Sequence, residues 1–253
     1  MSAFVLKIVA MIFMVVDHTG CIFFDGQWGW RVLGRLAFPL YSLMIVEGCR
    51  HLKDKENGLR RYLIFLGILA VISEPLYDFA FEGVWIDLFE QNQILQFFLF
   101  VVAFIICEKL KKPALQAIVW LVLLVGCFYF HIGFWSSGIV LMVMYLWYFN
   151  HQEGKSLGWK FGAATIMMLV FLLAYCTEDS LDLADLKGFG PAFVDNLIHT
   201  VKYRGVFLAI PFIALYNGTY GKPPKWFMAI YRYFYPAHLL VFCILQILLA
   251  AGA

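Results

Sequence analysis

The chain has 253 residues, of which 63% are hydrophobic and 14% charged, and its mean hydropathy is +0.80. Soluble domains carry about 25% charged residues, so these values exclude an ordinary soluble domain and predict a helical membrane protein. The net charge of +2 is too small to indicate nucleic-acid binding. The six cysteines lie singly, without a Cys-x-x-Cys motif, so no metal site is predicted.

Nine hydrophobic segments follow one another along the chain, and most reach the roughly 17–25 residues that a membrane-spanning helix needs. No composition shift or internal repeat divides them. Residues 1–253 are therefore predicted to form one integral-membrane domain, an all-α polytopic bundle of about nine spans. The eighth segment is short and contains Pro211, which predicts a kinked or partial span. The predicted spans are residues 3–24, 31–50, 61–81, 92–108, 113–130, 133–149, 159–177, 203–217 and 227–250.

Basic residues concentrate in alternate connections between these spans, at residues 50–61, 109–112, 155–160 and 222–225. The positive-inside rule places such connections in the cytoplasm. The amino terminus is therefore predicted to be cytoplasmic and the carboxyl terminus to lie outside. The connections that alternate with the basic ones carry acidic residues instead, namely Asp25, Glu82, Asp87, Glu90, Glu178, Asp179, Asp182 and Asp185.

Several ionisable residues fall at membrane depth, where charge is costly and usually functional. A helix rise of about 1.5 Å per residue places His18 and Glu74 roughly 20 Å from the inner ends of their spans, and His238 roughly 17 Å from its own. Arg35 lies about one to two turns below the outer surface, and Asp78 one turn beyond Glu74. We expect His18, Arg35, Glu74 and His238 to line one cavity.

Each of these residues also has a structural interpretation. Asp17 and His18 are adjacent, so they point about 100° apart on a helix and need not touch. Asp17 is expected to form an ion pair with Arg35. A single intramembrane histidine can simply be hydrogen-bonded to a neighbouring helix. Lys7 could extend towards the inner surface, or it could face an anionic ligand.

Four blocks of this sequence resemble the TraX family, which is named after the conjugative pilin N-acetylase. The first block ends in Asp17-His18-Thr19-Gly20, and the last contains Tyr235-Pro236-Ala237-His238. The middle, about residues 92–200, matches as hydrophobic spans alone. Where the family has an Asn-x-x-Phe-Thr block, this chain has Asn92-Gln93-Ile94-Leu95-Gln96, which is a departure from the pattern. The matching blocks are residues 7–20, 34–48, 61–78 and 216–239.

The resemblance implies that an acetyl group passes from cytoplasmic acetyl-CoA to an amine or hydroxyl at or beyond the membrane. An intramembrane histidine is then expected to act as general base or acetyl carrier, and the matched blocks contain His18 and His238. A neutral imidazole can accept a proton from the attacking acceptor, and Arg35 could stabilise the oxyanion that forms. His18 is the preferred base because it lies beside Asp17 in the outer half of its span, where an external acceptor could reach it.

Basic side chains near the inner surface are the expected partners of the CoA phosphates. The pantetheine arm would then extend from Arg60 and Arg61 towards His18, roughly 20 Å away. The expected donor-binding residues are Lys7, Arg50, Arg60, Arg61 and Lys225. The expected acceptor-binding residues are Glu74, Asp78 and Asn217.

The resemblance leaves the acceptor open among a pilin amino terminus, a sugar, a lipid head group and a small metabolite. It implies a multi-pass protein of the bacterial plasma membrane. One alternative is a proton-coupled transporter that uses the same intramembrane groups as a proton relay. Transporters often have repeated halves with interrupted helices in matching positions, and this sequence shows no such pairing. A non-catalytic assembly protein is a second alternative.

Overall fold

A computed structural model describes residues 1–24, 26–182, 189–199 and 201–252 of the protein. Every regular element in these ranges is a helix, so the all-α prediction is confirmed. Asp25 and Asp185, which mark two of the acidic connections, lie outside the described residues. The α-helices are α1 (Ala3–Phe23), α2 (Trp28–Gly34), α3 (Ala37–Leu52), α4 (Gly58–Glu82), α5 (Gln93–Lys109), α6 (Pro113–Tyr129), α7 (Trp135–His151), α8 (Leu157–Asp182), α9 (Phe189–His199), α10 (Ile210–Ala214) and α11 (Lys225–Gly252), and a 3₁₀ helix covers Val201–Ala209.

Five helical segments of the described chain are long and apolar enough to cross a bilayer: Ala3–Phe23, Trp28–Leu52, Gly58–Glu82, Leu157–Leu181 and Lys225–Gly252. Helices α5, α6 and α7 have 17 residues each, roughly the shortest length that spans the hydrocarbon core. The count of nine crossings and the cytoplasmic amino terminus stay predictions.

Two of the predicted spans are not continuous α-helices. The second breaks after Gly34, where the backbone N–H of Arg35 still bonds to the carbonyl of Arg31, and a new helix begins at Ala37. The eighth consists of the 3₁₀ helix followed by the short helix α10, which has Pro211 in its first turn. The sequence predicted the irregularity of the eighth segment but not the break in the second.

Two sets of contacts join segments that the charge pattern places on the same side of the membrane. The amide of Ala3 donates to the carbonyl of Thr219 (2.8 Å), and the amide of Phe4 donates to that of Tyr220 (3.2 Å). Lys53, after α3, forms an ion pair with Glu108 at the end of α5, with 3.4 Å between Nζ and Oε2. All of these residues lie in or beside connections that the charge pattern places on one side of the membrane.

Helices α1 and α2 pack in very close contact at two glycines. A Cβ atom on Gly34 would overlap the backbone of Asp17, and one on Gly20 would meet Cβ of Trp30. Because neither glycine has a side chain, the two backbones can approach closely. This contact holds the end of α2 against the middle of α1, where the polar residues lie.

Asn92 and Gln96, in the block that departs from the family pattern, have structural contacts. The Asn92 side chain accepts from the amides of Ile94 (2.8 Å) and Leu95 (3.1 Å), which caps α5. Gln96 is fully buried, and its side-chain amide donates to the carbonyl of Ile132 at 3.0 Å. These two residues fix the start of α5 and tie it to the connection between α6 and α7.

Candidate functional site

A cavity of about 1320 Å³ runs through the helical bundle. Its lining includes both ends of α4, Gly58 and Glu82, which are 24 residues apart, or about 36 Å along the helix. This length exceeds the roughly 30 Å hydrocarbon core of a bilayer. Lys55 and Arg61 line one end, which we call the basic end, together with Glu56. Glu82 and Glu90 line the other, which we call the acidic end.

The structure brings His18 of α1 and His238 of α11 into direct contact, with 2.8 Å between Nδ1 of His18 and Nε2 of His238. Nδ1 of His238 lies 2.9 Å from the carbonyl oxygen of Phe234, one turn earlier. A carbonyl accepts but cannot donate, so this Nδ1 carries the proton. In a neutral pair Nε2 of His238 is then the acceptor, and Nδ1–H of His18 donates to it.

This hydrogen bonding leaves Nε2 of His18 with a lone pair. His18 lines the cavity and is half-buried, whereas His238 is buried behind it. The ring of Phe81 packs edge-on against the His18 ring, with 5.0 Å between centroids. The pair therefore presents one basic nitrogen at a fixed position on the cavity side of α1.

Asp17 does not lie alone beside the histidines, because it pairs with Arg31 of α2 and with Arg35, which directly follows α2. Its Oδ2 lies 3.3 Å from Nη1 of Arg35 and 3.4 Å from Nη1 of Arg31. Arg31 also donates to the backbone carbonyl of Asp17 at 3.3 Å. The guanidinium of Arg35 lies 5.3 Å from the ring centre of Phe134. One carboxylate therefore holds two guanidinium groups against α1 at Asp17.

The expected ion pair between Asp17 and Arg35 is present, but sequence reasoning did not identify Arg31. A signal was available, since Arg31 precedes Arg35 by four residues and both would lie on one face of a helix. Both also fall near the predicted outer end of a span, where the positive-inside rule disfavours arginine. Such a pair indicates a local anionic partner, which in this structure is Asp17.

Lys7 lies on the same side of α1, nearer to the basic end. It lines the cavity and is 9% exposed. Its Nζ lies 4.5 Å from the ring centre of Tyr220 and 5.1 Å from that of Tyr231. Aromatic faces attract a cation at such distances, so the structure directs the Lys7 ammonium into the cavity.

Glu47 of α3 is the buried carboxylate of this region. It accepts a hydrogen bond from the phenol of Tyr216, and its Oε1 lies 3.4 Å from Nε2 of His51. Glu47 thus has partners other than Lys7.

None of the three residues expected to bind the acceptor lines the cavity. Glu74 and His238 do not line the cavity, which corrects the prediction of a four-residue site. The carboxylate of Glu74 instead accepts hydrogen bonds from Asn92 at the start of α5. Asp78 accepts from the amide of Asp87 at 2.8 Å and shapes the connection after α4. Asn217 accepts from the amide and hydroxyl of Thr219, at the opposite end of the bundle.

The basic residues expected to bind the donor divide into two groups. Lys7 and Arg61 line the cavity, whereas Arg50, Arg60 and Lys225 do not. The guanidinium of Arg50 instead packs 5.0 Å from the ring centre of Phe149. Within the described residues, no group of three His, Cys, Asp or Glu side chains has an arrangement that could hold a metal ion.

The TraX protein family model matches residues 2–246. This chain belongs to the TraX family. The match confirms the resemblance drawn from the terminal blocks and extends it across the middle of the chain. A probable fimbrial assembly protein, FimC of serogroup H1 from Dichelobacter nodosus, is 26% identical over 257 residues, which cover 96% of this chain and 94% of the relative. No solved structure matches this TraX protein.

Proposed function

We propose that this TraX protein is a membrane acetyltransferase that moves an acetyl group from cytoplasmic acetyl-CoA to an amine or hydroxyl at or beyond the membrane. Its family membership and five candidate membrane-spanning segments support this proposal. The similarity to a probable fimbrial assembly protein makes a pilin amino terminus one reasonable acceptor, beside a sugar, a lipid head group or a small metabolite. We place the protein in the bacterial plasma membrane.

The contact between His18 and His238 is the observation that carries the proposal. A base for acyl transfer must be neutral, accessible and held in one tautomer. The bond from His238 to the Phe234 carbonyl and the 2.8 Å contact between the two rings favour a free Nε2 on His18. His18 lines a cavity that extends from the basic end to the acidic end, so we expect donor and acceptor to approach it from opposite directions.

In the proposed reaction, Nε2 of His18 takes the proton of the acceptor N–H or O–H as that atom attacks the thioester carbon. The carbon–sulfur bond then breaks, and the imidazolium of His18 returns the proton to the departing thiolate. The products are the acetylated acceptor and CoA, and the enzyme is unchanged. The same nitrogen also suits a covalent route, in which it attacks the thioester itself and holds the acetyl group before the acceptor arrives.

The arginine pair provides the positive charge that the reaction needs. The tetrahedral intermediate carries an oxyanion, which a fixed cation stabilises strongly in a site that excludes water. Arg31 and Arg35 are held by Asp17, so their position does not depend on substrate. We propose that these guanidinium groups stabilise the oxyanion as it forms.

The experiment that tests the proposal uses purified protein in lipid nanodiscs. Acetyl-CoA binding is measured by calorimetry, and transfer is followed from labelled acetyl-CoA to a panel of membrane amines and alcohols that includes pilin peptides. We expect the wild-type protein to bind acetyl-CoA and to label at least one acceptor. His18→Ala should still bind acetyl-CoA but lose about 10²–10⁴-fold in transfer rate, which is typical for the loss of a general base.

His151→Ala is the matched control. His151 is exposed, bonds to the carbonyl of Trp147 and lies outside the cavity, so its replacement should leave transfer unchanged. Transfer by His18→Ala at the wild-type rate would refute the assigned base. A wild-type protein that does not bind acetyl-CoA would refute the proposed function as a whole.

A further inference from the structure

Lys7 and His18 lie on one face of α1 and both line the cavity. They are eleven residues apart, so on an α-helix they are almost in line, about 20° apart around the axis and about 16 Å apart along it. Met14, between them, also lines the cavity. Helix α1 therefore fixes the spacing between the backbone positions of Lys7 and His18 along the cavity.

The Lys7 ammonium is a buried cation without a paired anion in the described part of the chain. Its described contacts are the faces of Tyr220 and Tyr231, and Lys7 is 9% exposed. Glu47 influences its charge electrostatically, but that carboxylate is bound by Tyr216 and adjoins His51. A buried charge is costly unless it is paired, so this position favours an anionic ligand.

We propose that Lys7 binds the diphosphate of CoA, and this inference rests on the proposed acetyl transfer. The chain from the nearer phosphorus to the thioester sulfur has about thirteen bonds, and an extended chain advances about 1.2 Å per bond, which gives roughly 16 Å. This length is close to the spacing of the Cα positions of Lys7 and His18 along α1. A diphosphate at Lys7 therefore places the thioester at His18, with the adenosine towards the basic end near Arg61.

The test is a comparison of donors and variants by calorimetry in nanodiscs. Lys7→Met should weaken CoA binding roughly 10- to 100-fold, the usual effect of losing a charge-assisted hydrogen bond to a buried group. Dephospho-CoA lacks the 3′-phosphate but keeps the diphosphate, so Lys7→Met should weaken its binding by the same factor. Lys7→Arg keeps the charge and should restore most of the affinity for both ligands.

Lys53→Met is the matched control, because Lys53 pairs with Glu108 and does not line the cavity. Its CoA affinity should equal that of the wild type. Lys7→Gln provides a second neutral variant, and unchanged melting temperatures without ligand would show that both variants fold.

Three results would overturn the inference while leaving acetyl transfer intact. The first is an unchanged CoA affinity in Lys7→Met. The second is a Lys7→Met protein that loses affinity for CoA but not for dephospho-CoA, and the third is an equal loss of CoA affinity in Lys7→Arg and Lys7→Met. The second result would assign Lys7 to the 3′-phosphate. A wild-type protein that binds neither CoA nor acetyl-CoA would instead refute the proposed function itself.

Discussion

His238 fixes the tautomer of His18 through one hydrogen bond, and this makes the two histidines unequal. The His238 ring is held by the Phe234 carbonyl and accepts from His18, so it positions the base without facing the cavity. Loss of one such bond is worth about 1 kcal/mol, or somewhat less than tenfold. We therefore expect His238→Ala to reduce transfer about fivefold, far less than His18→Ala does.

A conservative replacement separates positioning from a purely structural effect. The side-chain oxygen of His238→Gln can accept from Nδ1–H of His18, so this variant should transfer acetyl groups faster than His238→Ala at equal stability. Steady-state rates and melting temperatures of the two variants provide the comparison. If His238→Ala is as inactive as His18→Ala while both proteins stay folded, the two histidines contribute equally to catalysis. The assignment of His18 as the base and His238 as its positioning residue then fails.

At the residue level, the sequence allowed the histidines and the Asp17–Arg35 pair to be predicted, because ionisable groups are rare at membrane depth. It did not distinguish Glu74, which binds Asn92, from a residue that faces a cavity. In the sequence, a glutamate that binds a distant side chain looks the same as one that faces a cavity, because Asn92 lies 18 residues further along the chain. Arg31 was missed because it lies at the edge of a predicted span rather than inside one.

At the scale of helices, the break between α2 and α3 decides where the arginines point. Pro39 lies in the first turn of α3, and proline lacks the N–H that a continuous helix would bond to the carbonyl four residues earlier. That carbonyl belongs to Arg35, where the break occurs. The hydrophobic run 31–50 concealed this break, although Pro39 was a visible signal. As a result Arg31 of α2 and Arg35, which directly follows it, can both turn towards Asp17.

The close contact of α1 with α2 yields a prediction about stability. Gly34→Ala would place a Cβ against the backbone of Asp17, and backbone cannot yield as a flexible side chain can. Overpacking of this kind costs about 1–3 kcal/mol, so the melting temperature should fall and transfer should decrease as the arginines shift. Gly29→Ala is the control in the same helix, because its Cβ would meet open space. Equal melting temperatures for the two variants would contradict the described contact.

At the scale of the whole molecule, the charge of the cavity changes from one end to the other. Lys55 and Arg61 line the basic end, with Glu56 offsetting part of their charge, and Glu82 and Glu90 line the acidic end. A polyanion such as CoA is attracted to a basic opening and repelled by an acidic one. The proposed direction of transfer therefore requires that the basic end face the cytoplasm.

This orientation can be tested with single cysteines and a membrane-impermeant maleimide. Cys21 is partly buried and the other five native cysteines are buried, so a Cys21→Ser protein should have a low background. Lys111→Cys, in a basic connection, should react only after the cells are opened. Leu88→Cys, 81% exposed in the connection after α4, should react in spheroplasts. The reverse pattern would place the acidic end in the cytoplasm, and the donor would then have to enter against the charge of the cavity.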